Sequence, residues 1–261
     1  MPGKSLLVNW SDIYAFMIER DPELGASVVG AKPDDIETCQ RELGVSLPNA
    51  YVDFLVTMGV ETGPYWPLGR GVDTNFYRLV RRNTAEDYDP REYFLIGEET
   101  DASRCPIFDI YLDLRHSTAE GTALIEAEHG SDWGPPEPMR MTLLERLTES
   151  AWQTFEIPRH TSSRTIHIHV DPPDGGDSVR ARVLDLLGRQ GHSASLPTQR
   201  RLDCLGSTSE ASFVHVKDHL RMIRVVIAGS DDKRLAHLVE LFLDNIPNAS
   251  SDHQTTSHSI L

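Results

Sequence analysis

The chain has 261 residues, 39% of them hydrophobic, with 40 acidic and 25 basic side chains and a formal charge of −15. This is enough apolar sequence for one large domain or two modest ones, and enough negative charge to argue against direct contact with a nucleic-acid backbone. Three scattered cysteines, Cys39, Cys105 and Cys204, make no bridge pattern and point to a reducing, cytoplasmic setting. No apolar run is long enough for a signal peptide or a bilayer span.

Taken in order, residues 9–20 predict a first helix with Trp10, Ile13, Phe16 and Met17 on one side and Asn9 or Ser11 as its cap. Residues 36–59 read IETCQRELGVSLPNAYVDFLVTMG. Ile36, Cys39 and Leu43 fall at helical spacing, and Gly44 can stop that helix in the left-handed region. Pro48 opens a second helix, Tyr51, Phe54, Leu55 and Met58 form its apolar stripe, and Gly59 closes it. Residues 60–92 read as a long loop with a short helix or strand near 75–80. Strands are expected at 94–98, 106–114 and 121–127. A turn-rich segment anchored by Trp133 then leads to a closing helix over 141–155.

Residues 158–163 read as a linker, after which a strand–helix pattern restarts. A strand at 164–170 precedes a helix capped by Asp177 or Ser178, and irregular strands follow near 195–205 and 211–217. A strand at 220–228 leads to a helix capped by Asp231 or Asp232, with Leu235, Leu238, Val239 and Phe242 on one face. The order is that of a small ferredoxin-like domain with an extra or missing edge strand. The fold class is α/β in the α+β sense, with domains at 1–158 and 164–247 and a disordered tail at 248–261.

The pairs Leu43-Gly44 and Leu47-Pro48, followed by Tyr51 and Phe54-Leu55, resemble the opening of the SMI1/KNR4 (SUKH) family. Residues 94–98, 106–114, 121–127, Trp133 and the helix through Phe155 resemble its later elements, so the resemblance covers about residues 30–157. It implies a mostly antiparallel sheet with packed helices. It also implies a binding role: bacterial members resemble immunity proteins that neutralise toxins, many of them nucleases, and eukaryotic members resemble regulatory scaffolds. The usual polar, glycine-rich approach to the central strands is replaced here by residues 101–106, DASRCP.

Charge agrees with a binding role. Residues 1–160 hold 28 acidic and 14 basic side chains, whereas residues 161–261 hold 12 and 11. An acidic first unit suits a basic partner, a cognate toxin above all. Asp109, Tyr111 and Asp113 alternate on one strand face, which reads as the wet side of a half-buried strand. With Glu98, Glu99 and Asp101 it forms a candidate acidic face, with Tyr65, Trp66 and Tyr77 as aromatic anchors.

Catalytic patterns are sparse. His167, His169 and Asp171 share a strand face and could hold a metal for hydrolysis, but Pro172 stands where a metallo-β-lactamase-like motif has its next histidine. The alternative is that Ile166, Ile168 and Val170 face the core and the histidines line the other side. Cys204 with His215 or His219 has no marked spacing. There is no GxSxG elbow, GxGxxG turn or phosphate loop, and Gly175-Gly176 reads as a turn. No cofactor is expected.

Overall fold

The computed structural model describes residues 8–85, 88–101, 103, 107–118, 121–128, 137–170, 175–197, 199–217 and 221–252. Trp133, Cys105, Asp171, His219 and residues 253–261 lie outside them. The chain divides into two compact units, one of residues Asn9–Thr154 and one of Phe155–Leu261 with Met1–Val8. Both combine helices with antiparallel sheet, an α+β class. Among the described residues, no helix is long and apolar enough to cross a membrane.

The first unit opens with α1 (Trp10–Arg20), α2 (Leu24–Ser27), β1 (Val28–Val29), α3 (Pro33–Leu43) and α4 (Asn49–Met58). Asn9 and Asp12 form a reciprocal capping box at the start of α1. Gly44 ends α3 at φ 65°, the left-handed conformation expected of it. Next come β2 (Glu61–Thr62), β3 (Val72–Asp73), α5 (Phe76–Asn83), β4 (Tyr93–Glu99), β5 (Phe108–Thr118), β6 (Gly121–Glu128), β7 (Glu137–Thr142) and α6 (Leu143–Ala151). β1 and β2 pair as a two-stranded ribbon, and β3-β4-β5-β6-β7 form an antiparallel meander.

β5 is the middle strand of that meander, and both of its faces are covered. Phe94, Leu112 and Leu124 are register neighbours on one face, and Tyr51 of α4 meets the Phe94 ring edge-on at 6.2 Å between centroids. On this side Trp10 packs edge-on against Phe54, and its indole N–H donates to Thr57 Oγ1 at 3.0 Å. Phe16 stacks on Trp152. The opposite face carries Leu95, Tyr111 and Ile125, which cluster with Leu79 of α5 and with Tyr88 and Tyr93.

Asn83 fastens α5 to this second face. Its side-chain carbonyl accepts the Leu95 N–H at 2.9 Å, and its amide donates to the carbonyls of Leu95 (3.0 Å) and Leu79 (2.9 Å). The β4–β5 register shifts between Leu95 and Gly97, so the amide serves backbone groups beside an irregularity in the ladder.

The expected helix over 141–155 is corrected at both ends. Residues 137–142 form β7, and a Thr142–Glu145 capping box starts α6 only at Leu143. After Ala151 the chain widens into a π turn (Trp152–Glu156) and a 3-10 turn (Ile157–Arg159).

The second unit contains β8 (Ser162–His169), α7 (Gly175–Arg189), β9 (Ser193–Ala194), β10 (Leu202–Gly206), β11 (Glu210–Lys217), β12 (Met222–Gly229), α8 (Asp232–Asn245) and β13 (Ala249–Asp252). Its sheet order is β13-β8-β12-β11-β10-β9, antiparallel throughout. β13-β8-β12-β11 reproduces the ferredoxin-like order, and β9 and β10 extend it at one edge. Asp231 caps α8 by accepting the Lys233 and Arg234 N–H groups. Ile166, Ile168, Val225, Leu235, Leu238 and Phe242 belong to one buried cluster.

β13 corrects the expectation of a disordered tail from 248. Asn248 turns at φ 59°, its carbonyl accepts the His169 N–H, and Ala249–Asp252 then pairs along β8. Pairing through backbone alone leaves little compositional trace in a run of Ala, Ser and Asp.

Phe54 is buried between α1 and the sheet-facing ring of Tyr51. Phe54→Ala is expected to cost about 3–5 kcal/mol of stability, the scale for a deleted core aromatic, measured by denaturant melts.

Candidate functional site

The carboxylates of β4 and β5 do not form a wet face. Asp109 is fully buried beneath Arg82 of α5, and Glu99 and Asp113 are buried as well. The helix brings its own cations. Arg78 bridges Asp73 (2.8 Å) and Glu98 (2.9 Å), register partners on β3 and β4. One turn later Arg82 reaches Glu98 at 3.8 Å and Asp109 at 3.7 Å. Asp113 receives Arg115 Nε at 3.0 Å and His116 Nδ1 at 2.9 Å. Burial pushes its carboxyl up, but these hydrogen bonds and the Arg115 charge outweigh that and hold it below its ordinary value.

The remaining candidates are placed as follows. Glu99 Oε2 accepts the Phe108 N–H at 3.4 Å, and Asp101 accepts the N–H and hydroxyl of Ser103. Tyr65 is a core residue whose hydroxyl donates to the Leu147 carbonyl at 2.7 Å. Tyr77 is half-buried and donates to Asp35 at 2.7 Å. Trp66 is exposed, with 43% of its surface open. The expected anchor Tyr65 and the expected acidic-face residues Asp109, Asp113 and Glu99 are therefore corrected to interior groups, whereas the anchor Trp66 is exposed.

About half of the first 160 residues' surplus of negative charge lies outside the sheet and α5. Residues 9–62, which run from α1 through α4 to β2, hold ten acidic and three basic side chains. Glu19, Glu23, Asp34, Glu37, Glu42, Asp53 and Glu61 are exposed among them. The strand pattern of β5 drew attention to carboxylates that the structure buries, and a charge count over the helical segment points to these exposed ones.

One serine, histidine and carboxylate group of the second unit is closed to solvent. His192 Nδ1 lies 3.1 Å from Ser212 Oγ, and its Nε2 lies 3.6 Å from Glu210 Oε2. Glu210 also accepts from Ser207 (2.8 Å) and Arg234 (3.3 Å). The serine–histidine–carboxylate sequence has a hydrolase's ingredients, but all three residues are buried, so a substrate cannot meet the hydroxyl. Burial holds the imidazole below its ordinary range, with Glu210 opposing and Arg234 reinforcing. Cys39 is inert for a similar reason: burial, then Glu42, pushes its thiol up to about 11.

His167 and His169 lie on the β8 face opposite Ile166 and Ile168. His167 Nδ1 is 3.1 Å from Met222 Sδ, and His169 is exposed. Among the described residues, no three His, Cys, Asp or Glu side chains gather as a metal site.

Two predictions follow from these buried charges. Arg82→Gln removes a cation from beside the closed Asp109 and is expected to cost about 2–3 kcal/mol, below the scale for a fully buried pair because Arg82 is partly open. Asp109→Asn is expected to cost less, and the double variant less than the two added, in a double-mutant cycle of denaturant melts. Asp109→Lys is expected to unfold the unit rather than merely recharge it.

For His192 the sign is set by its lowered folded value. The unfolded chain binds the proton first as pH falls below about 6.5, so stability is lost on acidification from there until the folded group also titrates. The slope is at most about 1.4 kcal/mol per pH unit. Subtracting a His192→Gln variant's melting profile from the parent's between pH 7.5 and 5 should isolate this loss.

Residues 30–134 match the model of the SMI1 / KNR4 family (SUKH-1). No curated protein and no solved structure matches the chain. The match runs from the residue after β1 past the end of β6 and stops short of α6, so it covers less than the resemblance that extended to 157. The matched residues contain the helical hairpin of α3 and α4, the α5 clasp and the strands β4 to β6, so the similarity to the SMI1 / KNR4 family (SUKH-1) lies in this part of the first unit.

Proposed function

We propose that this chain is a non-catalytic binding protein, a bacterial immunity protein that neutralises a cognate toxin, with a basic nuclease as the fitting target. The SUKH-1 match over residues 30–134 carries the reading. The charge supports it: residues 1–160 hold twice as many acidic as basic side chains. Nucleases hold phosphates with cationic surfaces, so an acidic inhibitor is drawn to them over a distance set by salt screening. The interior position of Asp109 and Asp113 moves the expected contact away from β5 and onto exposed carboxylates and Trp66.

The test pairs the full chain with a candidate toxin sought among the genes beside its own. Co-expression should restore growth to cells making the toxin, and the purified proteins should co-elute. Their association rate should fall at least about tenfold between roughly 0.05 and 0.5 M salt, as steering is screened. Continued toxicity together with no complex at low salt would reject the immunity reading.

A further inference from the structure

Four large hydrophobic side chains stand exposed among the described residues: Val29 (45%), Val56 (44%), Trp66 (43%) and Leu243 (42%). Three of them lie on connected elements, Val29 and Val56 on adjoining backbone and Trp66 on the turn that leaves β2. Val29 is in β1, Val56 is in the last turn of α4, and Trp66 follows β2 by four residues. Backbone hydrogen bonds join these pieces. The Ala31 N–H donates to the Leu55 carbonyl and the Val60 N–H to the Val29 carbonyl, each at 2.8 Å. Gly30 approaches the Val56 carbonyl so closely that a Cβ would lie 1.8 Å from its oxygen, so the ribbon sits directly on the helix.

Trp66 is held outward on a pinned loop. The Tyr65 N–H bonds back to the Thr62 carbonyl, Thr62 Oγ1 donates to the Tyr65 carbonyl, and the Tyr65 hydroxyl is anchored on Leu147. Tyr65 and Leu68 are buried on either side of the exposed indole. A tryptophan presented this way loses little freedom on binding, and tryptophan is among the side chains that dominate interface energies.

We propose that the β1–β2 ribbon, the last turn of α4 and the Trp66 loop form the docking surface for a basic protein, which deepens the protein-binding reading and rests on it. Val29, Val56 and Trp66 are the apolar anchors. Asp53, one helical turn before Val56, and Glu61, the register partner of Val29, are exposed rim carboxylates. Charge complementarity selects the occupant. The surrounding residues 9–62 carry ten acidic and three basic side chains, so a second copy of this chain meets like charge and a cationic protein meets opposite charge.

The experiment places benzoylphenylalanine at position 56, or at the exposed position 137 on β7, of the full chain. Irradiation is done in the cells that make it, and adducts are identified by mass. The expected result is an adduct at position 56 with one basic protein. That protein, purified, should bind the parent and bind Trp66→Ala and Val56→Lys at least about tenfold more weakly. Binding by a Glu137→Lys control should stay within about twofold, with all variants melting like the parent. An adduct at 137 but not at 56, an adduct with a second copy of the chain, or undiminished binding by both surface variants would overturn the docking surface while leaving a binding role standing. No adduct at either position, together with failure to protect cells from the toxin, would remove both.

Discussion

A carboxylate inside a sheet needs a cation, and Asp109 is such a group. It sits on the middle strand of a five-stranded meander with none of its surface open to water. Desolvating an uncompensated charge costs several kcal/mol, so something positive has to cover it. α5 does this with Arg82, while Arg78 bridges β3 and β4 through Asp73 and Glu98. Asn83 locks the helix to Leu95. The placement of α5, the irregular β4–β5 ladder and the burial of Tyr111 are parts of one arrangement.

This arrangement also decides where the protein presents its charge. The negative surplus of the first 160 residues reads at first as a property of the sheet, because alternation along β5 mimics a half-solvated strand. Once α5 is in place, those carboxylates are internal electrostatics. The helical segment from α1 to β2, with its exposed acids and few bases, is available to a partner. An attraction that steers encounter needs charges in solvent, and the helical segment has them.

Strong local signals made much of the fold legible. Gly44 and the Tyr51, Phe54, Leu55 stripe specify the α3–α4 hairpin, and Asp231 marks the start of α8, because caps and apolar periodicity are short-range physics. α5 was only half legible: its eight residues carry two buried apolar side chains and three arginines, too few for a clear stripe. The alternation of Asp109, Tyr111 and Asp113 was read correctly as a shared face but wrongly as a wet one. Sequence spacing reports which residues share a face, and only tertiary packing reports what covers it. Trp66 was found as an aromatic in a loop, yet its exposure depends on the buried Tyr65 and Leu68 beside it, which no local pattern distinguishes from Trp66 itself.

The β13–β8 pairing bears on how the protein is made. β8 begins the second unit, yet its two neighbours in the sheet are β12 and β13, which emerge from the ribosome some fifty to ninety residues later. Its Ile166 and Ile168 must wait through the synthesis of almost the whole unit before either flank is paired. The first unit, by contrast, is a meander whose strands find partners as they appear. Non-local pairing slows folding and prolongs exposure of unpaired strand edges. During translation the first unit can settle while the ferredoxin-like sheet is still open, and that sheet gains its β13 edge only once Ala249–Asp252 have been made.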